Sequence, residues 1–285
     1  MKQTRTLLGV FAHPDDESFG PGATLARYAA EGVDVHVIIA TDGIAGSVEA
    51  SHQQKEHETL AQVRSAELAN AAVALGVTTI WSLPYRDSGM RNTSANEHPD
   101  ALFQQPLEKL VEELTGYIER LQPQVIMTHD PFGGYGHPDH IRCCEAVTAA
   151  FHLTLEQGQK RNGNGYRGPQ KLYYTAMDKK TLKTFVRLMP LFGQDPTAMG
   201  RNKDINYVEI SEWETPITAR IPVADYYHRR LAASRAHASQ FSGGPGFMRR
   251  IPKFLRRRAL GFDTYTRAYP APEPTIESDL FAGVV

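Results

Sequence analysis

The sequence predicts an α/β protein with a doubly wound, mostly parallel sheet and helices on both faces of that sheet. Short apolar runs alternate with longer segments whose apolar residues recur at helical spacing, and this β-α order is typical of parallel sheets. The chain has 285 residues, of which 41% are hydrophobic and 22% charged, so it is long enough for a sizeable core. We expect one domain over residues 1–240, with a basic, proline-containing extension over residues 241–285 packed on it.

The predicted strands are short apolar runs, several of them rich in Val and Ile. In the common doubly wound order 3-2-1-4, the first and fourth strands are neighbours at the point where the strand order reverses. The four strands of the first half, and the two weaker candidates that follow, are Thr6–Ala12, Val33–Ala40, Val77–Leu83, Val125–Thr128, Leu172–Thr175 and Tyr207–Ile210.

The predicted helices have apolar residues three and four positions apart. Gly76 is the expected C-cap of the second helix, and Pro123 marks the end of the third. The helices cover Ala23–Glu31, Lys55–Leu75, Leu107–Leu121, Asp139–Glu156 and Asp225–Gln240.

Polar clusters follow each of the first four strands at the point where the strand ends. Because the carboxyl ends of parallel strands lie at one edge of a sheet, the clusters after the first and fourth strands are expected to face each other across a crevice. In chain order the clusters are His13-Pro14-Asp15-Asp16, Thr41-Asp42-Gly43, Tyr85-Arg86-Asp87-Ser88-Gly89, and His129-Asp130 with Gly136-His137-Pro138-Asp139-His140.

Two of these clusters contain the residue types of a catalytic zinc site. Such a site has three protein ligands and one open position, and His13, Asp16 and His140 supply two imidazoles and a carboxylate. Zinc lowers the pKa of bound water to about 7, which gives a nucleophile at neutral pH. Fe²⁺ or another divalent cation could occupy the same ligand set.

The other polar residues of these clusters fit roles in amide hydrolysis. Asp15, next to the candidate ligand Asp16, is a candidate general base for the attacking water. His137 can donate a hydrogen bond to a developing oxyanion or protonate a leaving amine. Asp139 can accept from a histidine ring N–H and fix its tautomer. If that ring belongs to His137, the carboxylate is expected to keep His137 protonated.

These residues also allow other interpretations. The segment His137–His140 alone could be a turn with a helix N-cap at Asp139, and His129 either lines the crevice or is structural. Two histidines and one carboxylate also form the facial triad of non-haem iron oxygenases, although that chemistry usually uses an all-β jelly roll and has no need of Asp15. A metal-free sugar-binding module would be expected to lack a ligand or the base, and none is missing.

Charge, hydropathy and cysteine content limit the partners that the chain can have. The formal net charge is −1, so there is no overall electrostatic case for nucleic acid or membrane binding. No apolar run reaches membrane-spanning length, and the adjacent Cys143 and Cys144 exclude a disulfide framework. We therefore expect a cytoplasmic protein with a small-molecule substrate, and homo-oligomer formation stays open. The basic stretch Arg249–Arg258 fits either a solvated surface flap or a lid over an anionic ligand.

Two motifs, Ala12-His13-Pro14-Asp15-Asp16-Glu17 and Gly136-His137-Pro138-Asp139-His140, strongly resemble those of the LmbE-like, or PIG-L, family of zinc-dependent de-N-acetylases. The resemblance covers Thr6–Glu156, and Ala236–Gln240 also resembles the group. It implies a Rossmann-like fold and hydrolysis of an acetamide on an N-acetylglucosamine-type glycoconjugate. By motif position it implies His13, Asp16 and His140 as zinc ligands, Asp15 as general base, His137 as the oxyanion-stabilising histidine and Asp139 as its partner.

Within the family, Gly133–Gly136 and Tyr85–Met90 are most similar to the branch that acts in mycothiol metabolism, as deacetylases or as amidases of thiol conjugates. This resemblance implies that Tyr135 is a mobile active-site tyrosine. It also implies that Arg64 and Asp87 contact the sugar or its anionic substituent, although Arg64 also fits an ordinary helix-surface arginine. Ile44 stands where these relatives commonly have the acidic residue of a Thr-x-Gly-Glu pattern, which leaves the aglycone and the acyl group open.

Overall fold

Seven strands form one sheet in a computed structural model of the chain, which describes residues 4–46, 48, 59–160, 165–199, 203–241 and 260–285. The strands are β1 (Thr6–Phe11), β2 (Asp34–Thr41), β3 (Thr79–Tyr85), β4 (Val125–Thr128), β5 (Lys171–Ala176), β6 (Ala219–Pro222) and β7 (Phe262–Tyr269). The α-helices are α1 (Asp16–Phe19), α2 (Gly22–Ala30), α3 (Leu60–Leu75), α4 (Leu107–Leu121), α5 (Pro138–Lys160), α6 (Lys179–Leu188), α7 (Tyr207–Glu212) and α8 (Tyr227–Ala236). Short 3₁₀-helices cover Ser94–Glu97, Leu102–Gln104 and Met189–Phe192.

The strand order is β3-β2-β1-β4-β5-β7-β6, which confirms the predicted doubly wound order of the first four strands. Neighbouring strands from β3 to β5 are parallel, whereas β7 runs antiparallel to both β5 and β6. The switch point therefore lies between β1 and β4, where a crevice is expected at the carboxyl ends of the strands.

The core consists of two layers, one on each face of the sheet, because successive side chains of a strand point to opposite faces. Leu7 and Phe11 of β1 pack with α2, α3 and α8, whereas Leu8 and Val10 pack with α4 and α5. All six residues of β1 are buried, as expected for the central strand of a sheet covered on both faces. Cys143 and Cys144 are free thiols that lie buried on α5, where they serve as small side chains of the core.

Several predicted elements differ from the structure. Tyr207–Ile210 is not a strand but the start of α7, because Asn206 caps this helix by accepting from the N–H groups of Val208 and Glu209. Helix α8 is shorter than the predicted Asp225–Gln240. The elements β6, β7 and α6 were not predicted, and through β7 the residues after position 260 contribute an internal strand of the sheet.

Two predictions concern residues that are only partly described or not described. Helix α3 begins after a capping box in which Thr59 and Gln62 bond each other's backbone N–H, and it ends at Gly76 as predicted. The predicted first turns of that helix and the basic stretch Arg249–Arg258 lie outside the described residues. Among the helices of the described ranges, none combines the length and the apolar character that a bilayer crossing requires.

Candidate active site

The predicted site residues converge at the carboxyl edge of the sheet. The segment after β1 brings His13, Asp15 and Asp16 to the switch point. The segment between β4 and α5 brings His137 to the other side of it, and the first turn of α5 brings His140 there. The backbone of Ala12 is fixed to β2, because its carbonyl accepts from the N–H of Thr41 at 2.9 Å and from its hydroxyl at 3.0 Å. The backbone directly before His13 is therefore held in place by the neighbouring strand.

Three donor atoms form a small triangle that fits one divalent cation. Nδ1 of His13 lies 3.1 Å from Nε2 of His140, and Oδ2 of Asp16 lies 3.4 Å from each of these nitrogens. A tetrahedral zinc ion with bonds of about 2.0–2.2 Å holds its ligand atoms roughly 3.3–3.5 Å apart. The donor set and its spacing therefore fit the predicted metal without rearrangement of the loops.

The second ring nitrogen of His13 is held by carboxylates, which fixes its tautomer. Nε2 of His13 lies 3.3 Å from Oδ2 of Asp139 and 3.5 Å from Oδ1 of Asp87, so Nε2 keeps its proton and Nδ1 is the nitrogen that faces the donor triangle. Burial opposes a charge on His13, but Asp87, Asp139 and Asp16 outweigh it and raise the pKa of His13 well above its usual value. Metal binding must therefore displace a proton from this ring.

The expected partnership between Asp139 and His137 is wrong. The Asp139 carboxylate faces His13 and accepts from the N–H of Ser88 at 2.9 Å, whereas only the backbone N–H of Asp139 donates to Nδ1 of His137, at 3.2 Å. Burial, together with the nearby rings of His13 and His140, lowers the pKa of His137 well below its usual value. His137 is therefore neutral, and because Nδ1 accepts a hydrogen bond, the proton lies on Nε2.

Asp15 lies in a strained backbone conformation beside the donor triangle. Its φ of 144° falls in the region that favours glycine, and its N–H donates to Oε2 of Glu17 at 2.9 Å. Burial raises the pKa of the Asp15 carboxyl to about 7, although the guanidinium of Arg64 opposes this shift from 3.0 Å. A carboxylate with this pKa can both accept and return a proton near neutral pH.

The support of this loop comes from residues that the sequence patterns did not identify as functional. Glu17 is fully buried, and its Oε1 lies 2.7 Å from Nε2 of His237, which follows α8. Because the other oxygen of Glu17 holds the N–H of Asp15, this pair connects the end of α8 to the candidate base. The two residues are 220 positions apart, and only the burial of a charged motif residue could have pointed to such a partner.

Arg64 is buried, so the helix-surface interpretation of this residue is wrong. Its guanidinium donates to the carbonyl of Gly43 at 2.6 Å and to that of Pro14, in addition to its contact with Asp15. Gly43 has a φ of +67°, and a Cβ there would lie 2.3 Å from the guanidinium, so only glycine allows this close approach. Arg64 thus ties the loop after β1 to the loop after β2.

Asp87 connects the loop after β3 to the same centre. Its carboxylate accepts from the N–H groups of Ala45 at 3.2 Å and Gly89 at 2.8 Å, while it faces His13. Burial alone would raise the pKa of Asp87, but the contact with His13 outweighs it and holds this pKa well below the usual range. Asp87 therefore stays ionised and supports His13 from the cavity side.

A cavity of about 460 Å³ opens beside these groups, a size within the range of small-molecule sites. Tyr135 lines it, with its ring 5.8 Å from that of His137 and 5.1 Å from that of His140. We call the more buried lining residues His13, Asp15, Arg64, Asp87 and His137 the inner wall. The outer wall consists of Met90, Thr93, Ser94, Asp204, Ile205 and Gln240.

The sequence matches one protein-family model and is similar to other proteins over nearly its whole length. The PIG-L family model, described as GlcNAc-PI de-N-acetylase, matches residues 8–151. A 1D-myo-inositol 2-acetamido-2-deoxy-alpha-D-glucopyranoside deacetylase from Acidothermus cellulolyticus is 36% identical, over 98% of this chain and 95% of that protein. An enzyme of the same description, numbered 2, from Catenulispora acidiphila is 34% identical over 99% of this chain and 98% of that protein.

Solved structures with lower identity share the fold. The N,N'-diacetylchitobiose deacetylase from Pyrococcus horikoshii has a TM-score of 0.60 at 21% identity, over 96% of this chain and 89% of that one. GalB from Pseudomonas putida KT2440, a 4-carboxy-2-hydroxymuconate hydratase, has the same TM-score at 18% identity, over 95% and 99% of the two chains. Deacetylases and a hydratase thus share this fold, so the fold alone does not specify the reaction.

Proposed function

This chain belongs to the PIG-L family of de-N-acetylases, and from that premise we propose that it is a zinc-dependent hydrolase of an N-acetylglucosamine-type glycoconjugate. The reaction is the addition of water to the acetamide, which releases acetate and leaves a free amine on the sugar. The names of the full-length relatives make the 1D-myo-inositol glycoside of N-acetylglucosamine the first substrate to test.

The donor triangle is the observation that carries this proposal. His13, Asp16 and His140 would hold the cation, with Nε2 of His13 fixed by Asp139 and Asp87. The chemistry that such a cation supplies is Lewis-acid polarisation of a carbonyl and activation of water near neutral pH. Zinc is the metal that we propose for two imidazoles, one carboxylate and an open position, and Fe²⁺ is the competitor to be tested.

Asp15 is the proposed general base. Its carboxyl group stands next to the ligand Asp16 but is held by Arg64, outside the donor triangle. It would take a proton from the attacking water and return it to the sugar nitrogen as the C–N bond breaks. A pKa of about 7 suits both halves of this transfer.

His137 is the proposed stabiliser of the oxyanion that forms on the acetamide oxygen. As a neutral imidazole it would donate through Nε2–H, since its Nδ1 accepts from the N–H of Asp139. A protonated histidine could also give a proton to the leaving amine, whereas the neutral His137 does not. That role is left to Asp15.

Tyr135, Asp87 and Arg64 are the proposed substrate contacts on the inner side of the cavity. All three line it, but Arg64 and Asp87 already hold the loops around His13 and Asp15, so their loss would affect positioning as well as binding. Arg64 has one buried nitrogen, Nε, without a hydrogen-bond partner in the described part of the protein.

A substrate panel scored by free-amine formation tests the proposal. It contains N-acetylglucosamine, its inositol and malate conjugates, chitooligosaccharides and a thiol-conjugate amide, each with and without chelator. We expect acetate and amine in equal amounts from an N-acetylglucosamine conjugate, without O₂ or 2-oxoglutarate, and no turnover after chelation. Release of a larger acyl group from the thiol conjugate alone would instead assign the chain as an amidase.

A further inference from the structure

We infer that His129 is a positioning residue that connects the two histidine ligand segments across the switch point, by accepting a backbone N–H with Nε2 and stacking on His140. This inference rests on the proposed metal site and goes beyond it, because the ligand set and the base leave His129 without a role. His129 is buried, with 6% of its surface exposed, and directly follows β4.

The first contact of His129 is with the segment that carries His13. The N–H of Ala12 donates to Nε2 of His129 at 3.0 Å, and the edge of the His129 ring packs on Phe11 with centroids 5.5 Å apart. The parallel pairing of β1 with β4 ends at Gly9 and Met127, so the imidazole supplies an acceptor at a point beyond the regular ladder. A buried N–H needs such a partner.

The second contact is with the other ligand. The rings of His129 and His140 are stacked, with centroids 3.8 Å apart and an interplanar angle of 13°. This stacking restrains the plane of the His140 ring, and therefore the direction in which its Nε2 points. One side chain thus restrains the backbone before His13 and the ring of His140.

The same hydrogen bond argues against His129 as a fourth ligand. Its Nε2 lies 3.5 Å from Oδ2 of Asp16, near enough to suggest ligation, but the lone pair of Nε2 is used by the N–H of Ala12. Oδ2 of Asp16 in turn accepts from the N–H of His13 at 2.8 Å. His129 is also not among the residues that line the described cavity, so it does not touch a substrate there.

Zinc affinity of the substrate-free protein tests this inference separately from the deacetylase assignment. The metal-free protein is titrated with Zn²⁺ against a chromogenic chelator for four variants. His129→Phe keeps a ring but lacks the acceptor, His129→Gln places an oxygen near the position of Nε2, and His129→Asn is too short to reach Ala12. His152→Gln, an exposed histidine on α5, is the control.

We expect His129→Phe and His129→Asn to weaken zinc binding by about 10–100-fold, the range found when groups that orient metal ligands are removed. His129→Gln is expected to stay within about 3-fold of the wild type, and the control is expected to be unchanged. At saturating zinc, KM should stay constant in all of them, because His129 does not touch substrate.

Two results would overturn the inference. The first is wild-type zinc affinity in both His129→Phe and His129→Asn. The second is a loss in His129→Gln as large as in His129→Phe, which would show that an acceptor at this position does not restore zinc affinity. The thermal midpoint of each metal-free variant is measured in parallel, because a purely structural role lowers that midpoint without changing the zinc affinity of the folded fraction.

Discussion

The two walls of the cavity are built in different ways. Inner-wall side chains have several fixed partners each: His13 has two carboxylates at one nitrogen, and Arg64 has two backbone carbonyls and a carboxylate. Outer-wall residues come from three separate segments and are more exposed. Thr93 donates to the carbonyl of Met90, and the amide of Gln240 donates to the hydroxyl of Ser239.

We propose that this difference separates residues that act mainly in the reaction from residues that act only in substrate choice. The inner wall requires a fixed geometry, since a misplaced ligand or base loses rate steeply, and its dense hydrogen bonding provides that geometry. The outer wall can change without disturbing the core, because its residues contribute little to the packing of the sheet. We therefore expect inner-wall variants to reduce kcat by orders of magnitude and outer-wall variants to change KM by small factors.

The largest effect is expected for the proposed metal ligands. His13→Ala and His140→Ala should lose the bound metal, and activity should fall to background, because each removes one of three donors. Metal content by elemental analysis and the rate after Zn²⁺ addition measure this. If both variants retained a full equivalent of metal, the ligand set would be wrong.

The second effect concerns Asp15. Asp15→Asn should retain metal and lose about 10²–10⁴-fold in kcat, because the side chain is assigned to proton transfer and not to ligation. Loss of metal in the same proportion as activity would make Asp15 a ligand.

The same assignment has a pH dependence with a definite sign. A base must be ionised, so kcat/KM of the wild type should fall as the pH drops through the pKa of Asp15, which burial raises to about 7. A cation bound next to this carboxyl lowers its pKa, so the acidic limb should lie at or below pH 7. A limb that stays unchanged in the residual activity of Asp15→Asn would assign the ionisation to another group.

The third effect tests the neutral state of His137. His137→Ala should lose about 10²–10³-fold in kcat, the usual cost of removing an oxyanion donor, and should retain metal. Because the pKa of His137 lies well below its usual value, the alkaline limb of the pH profile should be the same as in the wild type. A variant that loses metal would show that His137 belongs with His13 and His140 as a ligand, a grouping that the spacing of the three rings allows.

The sequence predicted the inner wall better than the outer wall, for a physical reason. Residues His13 to Asp16 and His137 to His140 each come from one short segment at the end of a strand, and parallel strands in the order 3-2-1-4 bring those segments together. A local motif and a topology rule were therefore sufficient to predict the donor triangle. The apolar runs predicted the first four strands, and the common doubly wound topology predicted their order.

Contacts between distant segments were not predictable from spacing. The carboxylate of Asp139 turned to His13 and not to His137, because its place at the start of α5 directs it across the crevice. The pairing of Glu17 with His237 depends on the packing of α8 near α1, and β7 completes the sheet from residues far along the chain. Asp204 on the outer wall lies outside every motif that the sequence analysis identified.

The smallest effect is expected for Asp204, and its substitution is the sharpest test of the comparison between the two walls. Asp204 presents an exposed carboxylate to the cavity and has no part in the donor triangle. A neutral sugar conjugate can donate a hydroxyl to it, and loss of one such partially solvated bond costs about 0.5–1.5 kcal/mol. Asp204→Asn should therefore raise KM for the inositol conjugate by roughly 2–10-fold, with kcat and zinc affinity unchanged. Glu273→Gln removes an exposed carboxylate outside the cavity and should change neither constant. If Asp204→Asn lowered kcat as strongly as an inner-wall variant, the two walls would not be functionally separate, and the outer wall would take part in the chemistry.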